Sequence, residues 1–291
     1  MKKLLSPRAM MILSMAIFGT ISPFVKHIAV SSGELALYRA LLALLLLGGY
    51  LAVSGQKIDF RYLGRELPLL LISGMAMGIN WILLFESYKY TTVSAATLSY
   101  YFAPILVTLA CPFLFKEKIS RKQWICFIMS TIGIILITGI GDMSHGSDHL
   151  KGILLALGAA FLYAFVILIN KFIKRIFGIQ RTFLQFAAAI IALLPYVWAG
   201  GVFSLPSLNA SGWICLLIVG LVHTGINYCL YFTALKDMPG QEAAILSYTD
   251  PLVAIIISVT LLNEPMTVNQ LVGGAMILGF TLWNELEPKQ Q

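Results

Sequence analysis

The sequence predicts an all-α integral membrane protein with ten transmembrane helices, arranged as two inverted five-helix repeats. Three observations predict it: an apolar composition, a sequence repeat at a constant offset, and basic residues that concentrate in alternate loops. Of the 291 residues, 59% are hydrophobic and only 11% are charged. An ordinary soluble domain carries about 25% charged residues, so this much apolar sequence indicates a bilayer rather than water as the solvent.

Apolar stretches of roughly 20 residues, the length that crosses the hydrocarbon core, recur along the whole chain. The predicted spans are residues 8–28, 33–53, 67–88, 93–115, 121–140, 151–171, 181–200, 211–233, 241–262 and 268–284. The basic start followed by an apolar run also resembles a signal peptide. Because the run is long and another span follows at once, we interpret it as an uncleaved first helix.

A sequence repeat divides the chain into two halves, residues 1–141 and 142–291. Residues 79–123 reappear without a gap as residues 226–270, with 11 of 45 positions identical at an offset of 147. Chance in a chain this rich in leucine and isoleucine would give roughly 3 matches. Each half holds five spans, and five is odd, so the second half must enter the membrane in the opposite sense to the first.

Lysine and arginine concentrate in alternate loops, which is the positive-inside pattern. The clusters are Lys2, Lys3 and Arg8; Lys57, Arg61 and Arg65; Lys116, Lys118, Arg121 and Lys122; and Lys171, Lys174, Arg175 and Arg181. The pattern predicts a multi-pass protein of the cell inner membrane with both termini in the cytoplasm. A net charge of +7 would suggest nucleic acid as a partner, but the positions of the charges exclude it. The lipid bilayer is the partner that this pattern predicts.

Two predicted helices, the fifth and the tenth, begin at equivalent capping boxes. Residues 120–123 and 267–270 each have a Ser or Thr followed three residues later by Gln, a pattern that satisfies helix-end donors. Glu117 and Glu264 precede these boxes by three residues. We expect both glutamates to satisfy helix-end donors at the membrane interface.

This order of a glutamate, a short polar turn, a glutamine and a glycine-rich apolar helix resembles the end of the EamA repeat of the drug/metabolite transporter superfamily. Residues 16–19 and 38–40 are similar to the first two helices of that family. The first copy departs from the pattern, with Cys126 where glycine is usual. The resemblance implies a carrier but no particular substrate, since the family includes exporters of amino acids and other metabolites, importers, and sugar-nucleotide carriers.

Polar side chains inside the predicted spans mark a transport pathway, because hydrocarbon penalises them unless they face protein or water. The candidates for substrate binding or the pathway are Arg39, Asn80, Tyr101, His223, Asn227, Tyr248 and Asp250. Arg39 either contacts substrate or a gate, or pairs with Glu34 as an external anchor. Asp250 either binds a substrate ammonium, takes up a proton, or caps backbone groups that Pro251 leaves unpaired.

The asparagines form a symmetric pair, for which interhelical hydrogen bonding is the alternative to a pathway role. In the second copy His223, Asn227 and Tyr231 follow at i, i+4 and i+8, which predicts one polar stripe along a helix face. His223 is in addition a candidate for proton transfer, because its reference pKa of about 6.5 lies near physiological pH.

Two prolines at equivalent positions predict kinked helices. Pro104 and Pro251 remove a backbone donor, and we expect them to act as hinges in spans four and nine. Tyr101 and Tyr248 each precede a proline by three residues. Kinks at corresponding places in two halves indicate a central site with these tyrosines on its wall, and ordinary aromatic packing is the alternative.

No nucleophile–base pair, phosphate-binding loop or metal cluster stands out, so we predict no enzyme, no catalytic or metal site and no cofactor. Asp142, His145, Asp148 and His149 match no standard ligand spacing and read as a polar linker. The predicted function is secondary transport of a small polar metabolite, first of all an amino acid or related compound, across the cytoplasmic membrane by alternating access, with export favoured.

Several alternatives stay open. They are an importer of a metabolite or cofactor precursor, an exporter of amines or drugs, and more distantly a non-transporting membrane scaffold. Proton coupling is also open, as is the choice between a monomer and a homodimer.

Overall fold

The structure is a computed structural model that describes residues 5–55, 60–115, 119–138, 147–176, 178–201 and 203–286. Every regular element within these ranges is helical. The α-helices are α1 (Pro7–Gly19), α2 (Ile21–Lys26), α3 (Ser32–Ser54), α4 (Phe60–Ser87), α5 (Val93–Tyr100), α6 (Ala103–Phe115), α7 (Arg121–Thr138), α8 (Ser147–Asn170), α9 (Gly178–Ala199), α10 (Ala210–Leu217), α11 (Asn227–Lys236), α12 (Gly240–Ser247), α13 (Thr249–Thr260) and α14 (Val268–Glu285). A 3-10 helix, Leu205–Ser207, precedes α10, and a π-helix, Ile218–Ile226, joins α10 to α11.

Eight helical segments of the described residues are long and apolar enough to cross a membrane. They are Pro7–Lys26, Ser32–Ser54, Leu63–Ser87, Val93–Leu114, Arg121–Thr138, Asp148–Asn170, Gly178–Ala199 and Ala210–Lys236. The chain is therefore a multi-pass membrane protein. The ninth predicted span is divided between the short helices α12 and α13, and the tenth coincides with α14, which has polar residues at both ends. The count of ten spans stays a prediction.

Three predicted spans are interrupted, and each break precedes a proline by three residues. The breaks and their prolines are Thr20 and Pro23, Tyr101 and Pro104, and Tyr248 and Pro251. A proline has no N–H for the carbonyl four residues earlier, and its ring clashes with that carbonyl, which explains why the helices end there. Pro68, Pro112 and Pro195 lie inside α4, α6 and α9 without ending them, so a proline by itself does not decide a break.

The helices form one bundle whose outer surface is apolar. α4 packs against α8 and α9, and α3 packs against α9 and the π-helix. α1 packs against α11 and α13, α5 against α8 and α13, and α7 against α14. Large apolar side chains on the outside are widely exposed, among them Leu45, Phe113, Ile191, Trp198 and Val268. Water would penalise such a surface, whereas lipid solvates it.

Helices α7 and α14 approach each other closely at two glycines. A Cβ atom on Gly133 would lie 2.7 Å from the carbonyl oxygen of Gly273, and one on Gly273 would lie 2.5 Å from that of Gly133. Only a residue without a side chain fits at such distances. Cys126, which occupies the usual glycine position in the first copy, is fully buried, and Gly133 supplies the close approach instead.

Both predicted capping boxes are present. The Gln123 side chain accepts from the Ser120 N–H at 2.7 Å, and the Gln123 N–H donates to the Ser120 hydroxyl at 3.2 Å. Thr267 and Gln270 form the same reciprocal pair at 3.1 and 3.2 Å. These bonds satisfy donors at the starts of α7 and α14 that have no partner within their own helices. Glu117 lies outside the described residues.

Candidate functional site

A cavity of about 640 Å³ lies between helices from both halves of the sequence. Tyrosines form much of its wall: Tyr88, Tyr100, Tyr101, Tyr163, Tyr228, Tyr231 and Tyr248. The charged side chains on the wall are Arg39, Lys171, Arg181, Asp250 and Glu285. A cavity of this size holds a small metabolite, and the mixture of aromatic and charged groups is typical of a ligand site.

Arg39 on α3 is a buried cation without a carboxylate partner in the part of the chain that the structure describes. The residue is 5% exposed, and its Nε donates to the Thr224 hydroxyl at 2.6 Å. The guanidinium carbon lies 4.6 Å from the ring centre of Trp81 and 5.5 Å from that of Phe85, close enough for cation–π attraction. Among the described residues, its terminal nitrogens Nη1 and Nη2 have no hydrogen-bond acceptor. Four N–H donors of a cavity-lining guanidinium therefore remain unused.

The alternative expectation, a pair between Arg39 and Glu34, does not form in the structure. Glu34 accepts a hydrogen bond from the Ser204 N–H at 2.6 Å and from both the N–H and hydroxyl of Ser31, at 3.1 and 3.0 Å. It is also the N3 member of the capping box that begins α3. Glu34 thus joins the start of α3 to the segment after α9 and leaves Arg39 to the cavity.

The π-helix gives Thr224 and His223 their positions. Its wider turns form hydrogen bonds to the fifth residue along the chain. The Thr224 hydroxyl donates to the carbonyl of Val219, five residues earlier, at 2.8 Å, and accepts from Arg39. His223 Nδ1 lies 3.3 Å from the Ile218 carbonyl, and its Nε2 lies 3.1 Å from the Thr20 hydroxyl. These contacts hold His223 between the π-helix and the break at Thr20.

The structure does not bring the predicted polar stripe into the cavity as a unit. Tyr231 lines the cavity, but His223 and Asn227 are not part of its wall. Asn227 is fully buried, and its Nδ2 donates to the Ser14 carbonyl at 3.0 Å, which ties α11 to α1. Asn227 and Tyr231 both lie in α11, so the difference between them comes from tertiary packing, which places α1 against Asn227. Asn80 does line the cavity, yet its Nδ2 also bonds across helices, to the Ala159 carbonyl at 2.5 Å.

The predicted tyrosine pair and Asp250 come together at the two proline breaks. The Tyr101 hydroxyl donates to Asp250 Oδ2 at 2.7 Å, and the rings of Tyr101 and Tyr248 lie 6.3 Å apart. The carbonyl of Ser247, which Pro251 leaves without its helical donor, lies 3.5 Å from the same Tyr101 hydroxyl. No described cation lies within 4 Å of Asp250, and its Oδ1 has no donor in the described ranges. The aspartate is thus held by one bond and retains a free acceptor.

A second polar group lies on the cavity wall and includes Asn170 and Gln185, which the sequence offers only as weaker candidates because each stands near a membrane interface. Gln185 Nε2 donates to the Ser73 hydroxyl at 2.7 Å and to Asn170 Oδ1 at 2.8 Å. Arg181, four residues before Gln185, lines the cavity on the same helix, α9. The i, i+4 spacing of two polar residues at the start of an apolar span was the available signal. In the charge pattern of the sequence, Arg181 is only one of the basic residues of a cytoplasmic loop.

Glu264 closes a polar cluster at one end of the bundle. It accepts from the Val93 N–H at 2.7 Å and from the Ser258 hydroxyl at 2.5 Å, and it forms an ion pair with Lys26. Glu264 therefore satisfies a helix-end donor, as expected. The donor is the N–H of the first residue of α5, a helix from the other half of the sequence. Ion pairs at exposed positions contribute little alone, but a carboxylate that also accepts a helix-end N–H is more firmly held.

A multi-pass helical bundle around a cavity lined by charged and aromatic side chains is typical of membrane transporters. The EamA-like transporter family matches residues 7–139 and again residues 150–284, and the chain belongs to this family. It is similar to the uncharacterized transporter YxxF of Bacillus subtilis (strain 168), with 33% identity over 268 residues, 92% of this chain and 85% of that protein.

Other relatives are also described as uncharacterized transporters, and a solved structure shares the fold. An uncharacterized transporter of Archaeoglobus fulgidus is 27% identical over 284 residues, 95% of this chain and 96% of that protein. The uncharacterized inner membrane transporter YhbE of Escherichia coli (strain K12) is 26% identical over 228 residues, 76% of this chain and 70% of that protein. A crystal structure with 15% identity matches 94% of this chain and 95% of that chain with a TM-score of 0.65, so it shares the fold.

Proposed function

We propose that this transporter moves a small zwitterionic metabolite, an amino acid or a close relative, across the cytoplasmic membrane by alternating access, with export favoured. One observation carries the proposal: Arg39 and Asp250, of opposite charge, line the same cavity, and neither has an ion-pair partner among the described residues. A buried charge without a partner is costly, so a substrate that supplies both partners gains affinity from both.

The chemistry of each group matches one end of an amino acid. The planar guanidinium of Arg39 presents paired N–H donors that fit a carboxylate in a bidentate way. Asp250 retains a free oxygen, Oδ1, that accepts from an ammonium group. The rings of Tyr101 and Tyr248 beside it offer cation–π attraction to the same group. The apolar part of the wall is left for the side chain of the substrate.

The alternatives differ in the charges they satisfy. An exported amine or drug with one positive charge pairs with Asp250 and leaves Arg39 unpaired, which makes it the weaker substrate. A non-transporting scaffold does not need unpaired charges in a cavity. Import of a metabolite or cofactor precursor uses the same geometry as export, and only a flux measurement separates the two directions.

Helix packing supports the division into repeats 1–141 and 142–291 about a pseudo-two-fold axis. If α1 is the counterpart of α8, and α4 the counterpart of the α10–π–α11 segment, then the α1–α11 contact repeats the α8–α4 contact. In the same way, α6 on α8 repeats α13 on α1, and α5 on α8 repeats α12 on α1. The chain also breaks at equivalent residues, Tyr101 and Tyr248, whose rings meet. These features favour the proposed hinge role of Pro104 and Pro251.

Contacts at the two ends of the bundle support the proposed topology. Glu264 contacts both Lys26 and Val93, and all three residues are predicted at the external face. At the predicted cytoplasmic face, Arg8 pairs with Glu242, and Glu66 accepts from the N–H groups of residues 174–176 at 2.9 to 3.1 Å. With both termini in the cytoplasm, Ser22 and Val93 lie at the outer end of the cavity, and Lys171 and Glu285 lie at its inner end. We propose that the Glu264 cluster closes the outer end, which makes this an inward-facing state.

Reconstitution into liposomes tests the function. We expect purified protein to exchange a labelled amino acid for the same unlabelled compound inside the vesicles, and Arg39→Gln to abolish exchange while the variant still inserts and folds. The proposal is overturned if a broad panel of amino acids, amines and related metabolites shows no flux with the wild-type protein. Tags in the loops after the fourth and ninth spans test the topology, because both on one side of the membrane would exclude inverted repeats.

A further inference from the structure

Arg181, at the start of α9, is a second cavity-lining arginine whose donors are largely unused. Its Nη1 donates to the Asn170 carbonyl at 3.5 Å, a long bond. Its Nε is buried and has no hydrogen-bond partner within the described ranges. No carboxylate of the described residues lies within 4 Å of it. A guanidinium carries five N–H donors, and burying them without acceptors is unfavourable, so this side chain is incomplete without an anion.

The surroundings of Arg181 are already satisfied without it. The side-chain amide of Gln185 donates to Ser73 and to Asn170. The Thr182 hydroxyl donates to the Gly178 carbonyl at 3.1 Å. This network holds one wall of the cavity in a defined arrangement. The guanidinium of Arg181 lies beside this wall and is not part of a salt bridge with a described residue. A binding group that is positioned in this way before the ligand arrives is preorganised, which favours affinity.

Arg39 and Arg181 lie near the starts of corresponding predicted spans, the second and the seventh, although the offset of 147 does not align the two residues themselves. In an inverted repeat, corresponding spans begin at opposite faces of the membrane. Arg39 follows the external start of α3, and Arg181 follows the proposed cytoplasmic start of α9. One cavity therefore carries a guanidinium toward each of its ends.

From this placement we infer that Arg181 forms a carboxylate-binding subsite at the cytoplasmic mouth of the cavity, from which the substrate passes to Arg39. The inference rests on the proposed function and adds an order of events to it. The substrate carboxylate first meets Arg181, then exchanges it for Arg39 as the ammonium group reaches Asp250.

The test is initial-rate transport in proteoliposomes, with the substrate offered at either face. We expect Arg181→Gln to raise the KM for the amino acid about 10-fold from the cytoplasmic face, the loss of a charge-assisted contact. Its KM from the external face should change less than about twofold. The KM for the corresponding amine, which has the same side chain and no carboxylate, should also stay within about twofold from both faces. Arg181→Lys should recover part of the affinity, because the charge remains and the fork is lost.

Lys174→Gln is the matched control. It removes a cation from the same predicted face, at an exposed side chain that does not line the cavity, and should leave every KM unchanged. Equal effects of Arg181→Gln on the amino acid and the amine, or on both faces, would make Arg181 a structural residue and overturn the inference. If inorganic phosphate inhibits the wild type but not Arg181→Gln, and the KM for the amino acid is unchanged, the subsite binds phosphate and the carboxylate assignment is wrong. If the wild type moves no amino acid at all, the proposed function fails first.

Discussion

Asp250 offers the sharpest test of how the cavity recognises its substrate. Replacing it with asparagine keeps the size of the side chain and removes its negative charge. The Tyr101 hydroxyl can still donate to the asparagine carbonyl oxygen, as it does to Asp250 Oδ2 at 2.7 Å, so the local packing should persist. What is lost is the charge that faces a substrate ammonium.

The expected magnitude follows from the bonds that Asp250 already makes. One carboxylate oxygen is occupied by Tyr101, so Oδ1 is left for one charge-assisted bond to the ammonium. A hydrogen bond to a charged group contributes about 1.5–3 kcal/mol, which corresponds to about 10- to 150-fold in Kd. We expect Asp250→Asn to weaken binding of an amino acid by this factor.

The assay is ligand binding by the detergent-purified protein. A thermal-shift screen of the common amino acids first identifies the compound that raises Tm most, because a ligand that binds only the folded state stabilises it by mass action. Calorimetric titration then gives its Kd, together with the Kd values of the matching amine and of the matching acid without the amino group. Arg39→Gln is measured alongside.

The two variants should show opposite preferences. Asp250→Asn should weaken the amine and the amino acid but not the acid, and Arg39→Gln should weaken the acid and the amino acid but not the amine. If both variants weaken all three ligands equally, the charges support the fold rather than the substrate. If neither changes any Kd, the substrate lies elsewhere and our assignment of the cavity is wrong.

Three further predictions concern packing, the closed end of the cavity and the helix contacts. Gly273→Ala should lower the free energy of unfolding by about 1–3 kcal/mol, because its methyl group meets a backbone carbonyl at 2.5 Å. The control Gly279→Ala, with nothing within 4 Å, should leave Tm unchanged or raise it. Glu264→Gln should loosen the external end of the cavity. The reporter is a cysteine in place of the cavity residue Ser22, in a chain without its native cysteines, and it should react faster with an impermeant maleimide added outside. An unchanged rate would contradict a gate at this end. Asn227→Ala should destabilise the protein by about 0.6 kcal/mol or more with little change in KM, as for an interhelical bond, and a selective rise in KM would instead restore its predicted pathway role.

Much of the architecture was predictable from local sequence, because it depends on local energies. Apolar runs of sufficient length, capping residues at the helix starts and the charge pattern in the loops each act within a window of a few turns. The breaks at Tyr101 and Tyr248 were predicted as kinks from the prolines that follow them. Even here local rules were incomplete, since Pro68 and Pro195 interrupt neither α4 nor α9.

The composition of the cavity was decided by tertiary packing. Arg39 meets Thr224 across 185 residues of sequence, and Tyr101 meets Asp250 across 149. No local pattern shows that Asn227 bonds to α1 while Arg181 enters the cavity wall, or that a π-helix turns Thr224 toward Arg39. Whether a polar group bonds to a neighbouring helix or faces a cavity depends on which distant backbone lies beside it. The free energy of transfer of the residue alone does not distinguish a hydrogen bond to a neighbouring helix from exposure to a polar cavity. The packing of the bundle determines which of the two occurs.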